Sequence, residues 1–419
     1  MMIFTSIYGV VDGFFVSNYV GKVSFAAVNF IMPFLMILGT FGFMFGTGGS
    51  ALISKTMGEG DREKAKKIFS LIIYVSSAFS VIIAILGIIF IRPIATLLGA
   101  NESMLNDCVT YGRIILIALP AYMLQFEFQS FFVTAGKPNL GLVVTVITGV
   151  SNMVLDALLV AVFSLGLKGA AIATAVSQYI GGVVPLVYFI LPNKSLLRLG
   201  KTKYDNRALV KTCTNGVSEL MSGISMSIVA MLYNAQLMKY AGEDGVAAYG
   251  VLMYVNMIFI AVFIGYSVGT APVIGYHYGA DNKPESKSIL KKSLVLISIF
   301  SVAMVLLAEA LAKPLAKIFV GYDKGLFDLT VGGFRIYSFA FLFSGIAIFG
   351  SSFFTALSNG LVSALISFMR TLVFQIIAVL VLPLIWGIDG IWISIVVAEL
   401  MAAIVTAIFI AAKRKKYGY

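Results

Sequence analysis

YVGKVSFAA (residues 19–27) returns as YAGEDGVAA (240–248), 221 positions further on, with Tyr19, Gly21, Ala26 and Ala27 falling on Tyr240, Gly242, Ala247 and Ala248. The same displacement lays Gly48 on Gly269, Gly58 on Gly279, RPIA (92–95) on KPLA (313–316) and GLKG (166–169) on GIDG (387–390). SFF at 130–132 meets SFF at 352–354 with the shift grown by one, as a single insertion would do. One shift recurring across separate loops marks a duplicated chain. The sequence therefore reads as two similar halves, 1–193 and 211–412, joined by a polar, basic linker (194–210) and followed by a basic tail (413–419).

The duplicated unit is a membrane unit. Of 419 residues, 60% are hydrophobic and 12% charged, against roughly 45–50% and about 25% in soluble domains. Apolar runs near 1–20, 26–54, 68–91, 110–135, 140–163 and 168–191 fill the first half. Each is about long enough to cross a hydrocarbon core of ~30 Å at 1.5 Å per residue. The second half supplies runs near 208–238, 247–278, 289–311, 331–357, 360–384 and 387–412. Six is even, so the twin keeps its orientation, and the halves are related by an axis along the membrane normal, as in some secondary transporters. The expected fold is an all-α integral membrane protein with 12 transmembrane helices in two pseudo-symmetric six-helix bundles.

Charge placement gives the orientation. Twenty of the thirty Lys and Arg residues lie in one set of loops and termini, between Lys55 and Lys67, at Lys137, from Lys194 to Lys211, from Lys283 to Lys292 and from Lys413 to Lys416. By the positive-inside rule these face the cytoplasm, with both termini inside. The formal net charge of +11 thus reports topology and not a nucleic-acid partner.

Several function classes lack support. Cys108 and Cys213 stand in unrelated contexts, and the single His277, in GYHYG, reads as interfacial. Neither signals a metal cluster or thiol-redox pair. GTGGS (46–50) has no following G-K-[ST], so it reads as close helix packing and not as a phosphate cradle. Without a nucleotide motif, the energy must come from ion gradients, or else the protein is passive. The N-terminal MMIFTSIYGVVDGFF lacks the basic region of a secretory signal and reads as a first span that begins late, with an amphipathic lead-in missing.

A charged carboxylate at the centre of a membrane helix costs ~2.5 kcal/mol or more, so each needs a partner, a proton or a purpose. Asp12 lies about 12 Å below the outer end of span 1, Asp156 at a similar depth in span 5, and Thr174 roughly 9 Å down span 6. Asn152 stands one turn deeper than Asp156. Such oxygen ligands suit a small hard cation, and two neighbouring carboxylates suit a shared proton. Glu127 and Glu219 are candidates for the substrate path or a secondary protonation. Glu309 and Glu399 read as structural, nearer span ends or paired with Lys313 and its neighbours.

VDGFFVSNYVG (11–21), GTGGSALISKTMGEGDREKA (46–65), its echo GTAPVIGYHYGADNKPESK (269–287) and TAGKPNLG (134–141) resemble the multidrug and toxic compound extrusion (MATE) family. The stretch from YAGEDGVAAYG to GTAPVIGYHYGA is similar to its MepA-like bacterial branch. The resemblance implies the MATE fold in a bacterial cytoplasmic membrane and export of organic cations and amphipathic compounds in exchange for Na⁺ or H⁺. It also implies an N-lobe coupling site at Asp12, Asn152, Asp156 and Thr174, which would be metal ligands only if Na⁺ is the ion. A second ion site in the C-lobe is not expected, since the span at 331–357 holds no carboxylate and Glu219 sits earlier in span 7 than the family pattern.

The expected function is an ion-coupled drug or metabolite antiporter. It would be a monomer in the lipid bilayer, with no cofactor beyond the coupling ion, no nucleic-acid partner and no enzymatic activity. The alternative is a flippase of a lipid-linked precursor, which would need basic residues for a pyrophosphate; in-span cations are scarce, Arg370 being the clearest.

Overall fold

The computed structural model is helical, with no strand among the described residues. It describes every backbone position except Gly21, Gly99, Asn101 and Tyr322. It describes every side chain except at those positions and at Val10, Gly13, Phe14, Ser17, Asn18, Lys22, Val23, Phe25, Ala26, Asn29, Ser103 and Glu243. Gly21 and Ala26 of the repeat, Lys22 of the loops, and Gly13, Phe14, Ser17 and Asn18 of the VDGFFVSNYVG motif therefore lie outside the described residues.

Two compact units divide the chain, Met1–Gly216 and Val217–Tyr419. The first holds α1 (Met2–Tyr19), α2 (Lys22–Gly58), α3 (Arg62–Leu98), α4 (Glu102–Thr134), α5 (Pro138–Val162) and α6 (Gly166–Ile190). Next comes α7 (Asn206–Gly242), whose first eleven residues belong to the first unit, and then α8 (Asp244–Gly279). The second unit continues with α9 (Lys283–Val320), α10 (Lys324–Ser338), α11 (Phe341–Ala356), α12 (Gly360–Val381) and α13 (Pro383–Tyr417). Among the described residues ten helices are long and apolar enough to cross a membrane, or eleven if α10 and α11, bent by 49°, count as one broken span. The eighteen-residue α1 lies outside that count. This is the expected all-α architecture.

The duplication is written into the backbone. Positive φ angles occur in matched pairs: Gly60 (φ 91°) with Asp281 (φ 50°), Gly136 (φ 70°) with Ser358 (φ 56°), and Gly166 (φ 55°) with Gly387 (φ 58°). The middle pair lies 222 positions apart and the others 221, so the insertion marked by the SFF motifs is undone before the sixth span. Helix starts match as well. Asp61 Oδ1 accepts from Lys64 N at 2.9 Å, and Asn282, its repeat partner, accepts from Glu285 N at 3.2 Å. Each side chain satisfies an amide that a helix N-terminus leaves without an intrahelical acceptor.

Small residues let the helices of the first unit approach. A Cβ on Gly46 would sit 2.9 Å from Glu127 Cα on α4, and one on Gly49 3.0 Å from the Phe131 ring. A Cβ on Gly48 would collide with the Thr212 carbonyl of α7, and one on Gly216 with the backbone of Met44. GTGGS is thus a packing seam, as read from the sequence. Gly48→Leu or Gly216→Leu is expected to remove most of the monodisperse protein on size exclusion in detergent, because the obstructing atoms are backbone and overpacking costs about 1–3 kcal/mol or more. Gly269→Leu, at the repeat counterpart of Gly48 and with nothing within 4 Å of its Cβ direction, serves as the comparison.

The acids read as structural do pair, but with partners other than Lys313. Glu309 Oε2 lies 3.8 Å from Arg335 Nε, and its Oε1 accepts from Ser338 Oγ at 2.7 Å. The Glu399 oxygens accept from Arg370 Nε at 2.8 and 3.1 Å. Arg370 lies in a π-helical turn, Met369–Val373, and a second such turn, Ala157–Val162, follows Asp156 directly. Single π turns inside α-helices often mark functional positions.

Candidate functional site

Asp12 stands on α1, Asp156 at the last α-helical residue of α5, and Thr174 two turns into α6. The approach of α1 to α5 depends on Gly149, where a Cβ would lie 2.7 Å from the Tyr8 ring and 2.5 Å from that of Phe4. With α1 seated there, Thr174 Oγ1 lies 3.4 Å from Asp12 Oδ1 and donates to it. The Asp12 and Asp156 carboxyl groups come within hydrogen-bonding range of each other. Asp156 is wholly buried, and no N–H or O–H of another described residue reaches either oxygen. Two carboxylates so placed repel unless a proton or cation lies between them. Asn152, 2% exposed and one turn below, keeps its Oδ1 without a partner.

Two tyrosines join this group that sequence reasoning did not single out. Tyr111 of α4 is 1% exposed; its hydroxyl donates to Met32 Sδ at 3.7 Å and comes within hydrogen-bonding range of Thr174. Tyr8, one turn before Asp12, accepts from Gln125 Nε2 at 3.2 Å. In the sequence both look like core aromatics, and only the facing of four helices distinguishes them. Tyr111→Phe removes the hydroxyl within reach of Thr174, which itself donates to Asp12. It is expected to slow gradient-driven efflux by about threefold to tenfold, the worth of one neutral hydrogen bond of ~1 kcal/mol, with initial rates in vesicles as the measurement.

Glu127 lies apart from this group. It is fully buried on the α4 face turned to α2 and α3, where its Oε2 accepts from Ser76 Oγ at 2.9 Å and its Oε1 has no partner. Glu219 stands in the second unit on α7, half-buried, with Arg370 as the cation acting on it. The remaining four predicted residues, Asp12, Asn152, Asp156 and Thr174, fall on three neighbouring helices of the first unit.

The second unit carries a different set at the matching level. Position 233, the counterpart of Asp12, is Tyr233, whose hydroxyl donates to Gln375 Oε1 at 2.7 Å and lies 3.5 Å from Ser394 Oγ. That cluster is neutral and internally satisfied, so it offers no place for an ion. Among the described residues no group of three or more His, Cys, Asp or Glu is placed to hold a metal ion. A small hard cation would have to use the mixed oxygen set of Asp12, Asp156, Asn152 and Thr174.

Comparison with known proteins gives the same architecture. The chain is 26% identical over 413 residues to the multidrug export protein MepA of Staphylococcus haemolyticus (strain JCSC1435), covering 98% of this chain and 90% of that one. It is 23% identical over 406 residues to MepA of Staphylococcus aureus (strain MRSA252), covering 96% and 89%. Among solved structures, a MATE protein in complex with MaL6 superimposes with a TM-score of 0.95 at 22% identity, covering 100% of this chain and 95% of that one. An outward-facing multidrug resistance MATE transporter of the MOP superfamily gives 0.94 at 22% identity, covering 100% and 94%. The sequence model of the MatE family matches twice, over residues 1–158 and 220–381, once on each side of the duplication. The chain is therefore a member of the MatE family of multi-pass membrane transporters and not an enzyme.

Proposed function

We propose that the protein is a secondary active antiporter that exports organic cations and amphipathic compounds across a bacterial cytoplasmic membrane in exchange for H⁺ or Na⁺. It would act as a monomer with both termini in the cytoplasm. The observation that carries this reading is the buried Asp12–Asp156 pair, which has no cationic partner among the described residues and must hold a proton or an ion to be stable. The relatives named as multidrug export proteins support the substrate class. Thr174 holds the Asp12 carboxyl in register, and Asn152 adds a neutral oxygen. An ion entering from outside would neutralise the pair and relax the packing of α1 on α5 and α6, and so favour outward release of the bound compound. The flippase alternative loses its main candidate, since Arg370 is already bound to Glu399.

The test is efflux of a fluorescent organic cation from proteoliposomes under an imposed pH or Na⁺ gradient. Gradient-driven efflux in the wild type, lost in Asp12→Asn and Asp156→Asn, is the expected outcome. Movement of labelled lipid without cation efflux would overturn it.

A further inference from the structure

Below Asp156 the buried face of α5 stays polar for three more turns. Asn152, Thr148 and Thr145 follow at intervals of four, four and three residues, each no more than 5% exposed. Thr145 closes onto its own helix, donating to the Gly141 carbonyl at 2.8 Å. Thr148 Oγ1 and Asn152 Oδ1 have no partner among the described residues. Beside Thr148 lies a cavity of about 10 Å³, lined in part by Gln125 and Gln129 of α4 and by Gly141, Thr145 and Thr148 of α5. That is the room one water molecule needs. Both amide atoms of Gln129 and the Oε1 of Gln125 are buried there without a partner. Several neutral polar atoms facing one small cavity is a costly arrangement unless water satisfies them.

The cavity connects in two directions. Gln125 Nε2 donates to Tyr8, one turn from Asp12, and Asn152 lies between Thr148 and Asp156. At the other end Gly141 stands in the first turn of α5, at its cytoplasmic end in the topology read from the loops. Glu127, on the same helix as the two glutamines, faces the other way toward Ser76 and does not enter.

The second unit handles the same level differently. Thr148 and Gln178 correspond, at shifts of 222 and 221, to Arg370 and Glu399. There the two positions close on each other as an ion pair at 2.8 Å. In the first unit they are neutral, and Thr148 Oγ1 and Gln178 Oε1 are both unpartnered. The duplication thus kept a sealed version and an open version of one layer, and the open one lies under the carboxyl pair.

We propose that Gln125, Gln129 and Thr148 form a water-holding station that, with Asn152 and Tyr8, carries protons between the Asp12–Asp156 pair and the cytoplasmic end of α5. This rests on the antiporter reading above, and it assigns the proton as the ion and the first unit's interior as its route. The amides hold water and do not themselves change protonation. The protonated pair gives one proton to the water chain and is left with one more negative charge. The station's water passes its own proton on and is reprotonated, so one proton leaves the pair for each one delivered to the cytoplasm.

The test uses the full chain in proteoliposomes with a pH-sensitive dye inside and ethidium as the exported cation, comparing wild type with Thr148→Val, Gln129→Leu and Thr148→Ser. Thr148→Val and Gln129→Leu should slow proton-coupled efflux by about tenfold and leave ethidium affinity within about twofold, with the rate restored in Thr148→Ser. The wild type should also slow in D₂O, and the slowing should be at least as large in the two damaged variants, where proton transfer limits the rate. Wild-type rates in both variants, or efflux driven by Na⁺ with no proton movement, would overturn the proposal. If Gln129→Leu fails to fold, the near-isosteric Thr148→Val decides by the same readings. Failure of the coupling site itself would show separately, as gradient-driven efflux persisting in Asp156→Asn.

Discussion

Asp156→Asn is expected to reduce gradient-driven efflux to the level of leak, at least about a hundredfold below wild type. Ethidium should still bind. The amide matches the carboxyl in shape, so α5 should stay seated against α1 and α6; what it lacks is a second charge state. A tenfold proton gradient with a potential of 100 mV supplies close to ~3.7 kcal/mol per proton moved, enough to shift a two-state equilibrium several hundredfold. A site that cannot change charge cannot receive that energy. Because Asp12 and Asp156 face each other with no other donor on Asp156, they should act as one unit. The double variant with Asp12→Asn should then be no worse than either single one, a non-additivity read from a double-mutant cycle. Additive losses would mean that the carboxyl groups work independently.

The second large effect is expected in the other unit and concerns stability. Arg370 and Glu399 side chains are 17% and 8% exposed and meet at 2.8 Å. Removing one partner strands a buried charge, so Arg370→Met or Glu399→Leu alone should destabilise the detergent-solubilised protein by about 3–5 kcal/mol. The two together should recover most or all of that loss, since an apolar pair of similar volume is often neutral or stabilising at such sites. Thermal unfolding of the purified variants is the measurement. Efflux retained in the double variant would mark the ion pair as structural, whereas lost efflux with recovered stability would give Arg370 a part in transport, acting with Glu219.

The fold was legible because duplication leaves marks that do not depend on detailed packing. A φ above zero needs a glycine or a short polar residue, so Gly60 and Asp281, or Gly136 and Ser358, persist at fixed spacing even where the apolar residues between them drift. Depth along a helix is legible for a related reason, since a constant rise per residue converts sequence number into height. That is how Asp12, Asp156 and Thr174 could be grouped before any coordinates. Direction around the helix axis is not given by height. Glu127 and Gln125 are neighbours in sequence but face opposite ways, and Tyr111 is indistinguishable from a core aromatic until α4 is placed against α6. The pairing of Glu399 with Arg370 was missed for the same reason, as the two stand on different helices 29 residues apart. The bend between α10 and α11 has neither proline nor glycine to announce it. It arises where Phe339 and Ala340 bond three residues back, to Ile336 and Tyr337.

The opening turns of α7 have a consequence for how such a chain can be divided. Thr212 and Gly216 complete the seam around Gly48, so the half that follows the linker owns a piece of the half that precedes it. A gene cut within residues 194–205 would yield a leading fragment with a gap in its wall and a trailing fragment carrying the plug. The fragments should therefore find each other when made together, and the leading one should aggregate when made alone.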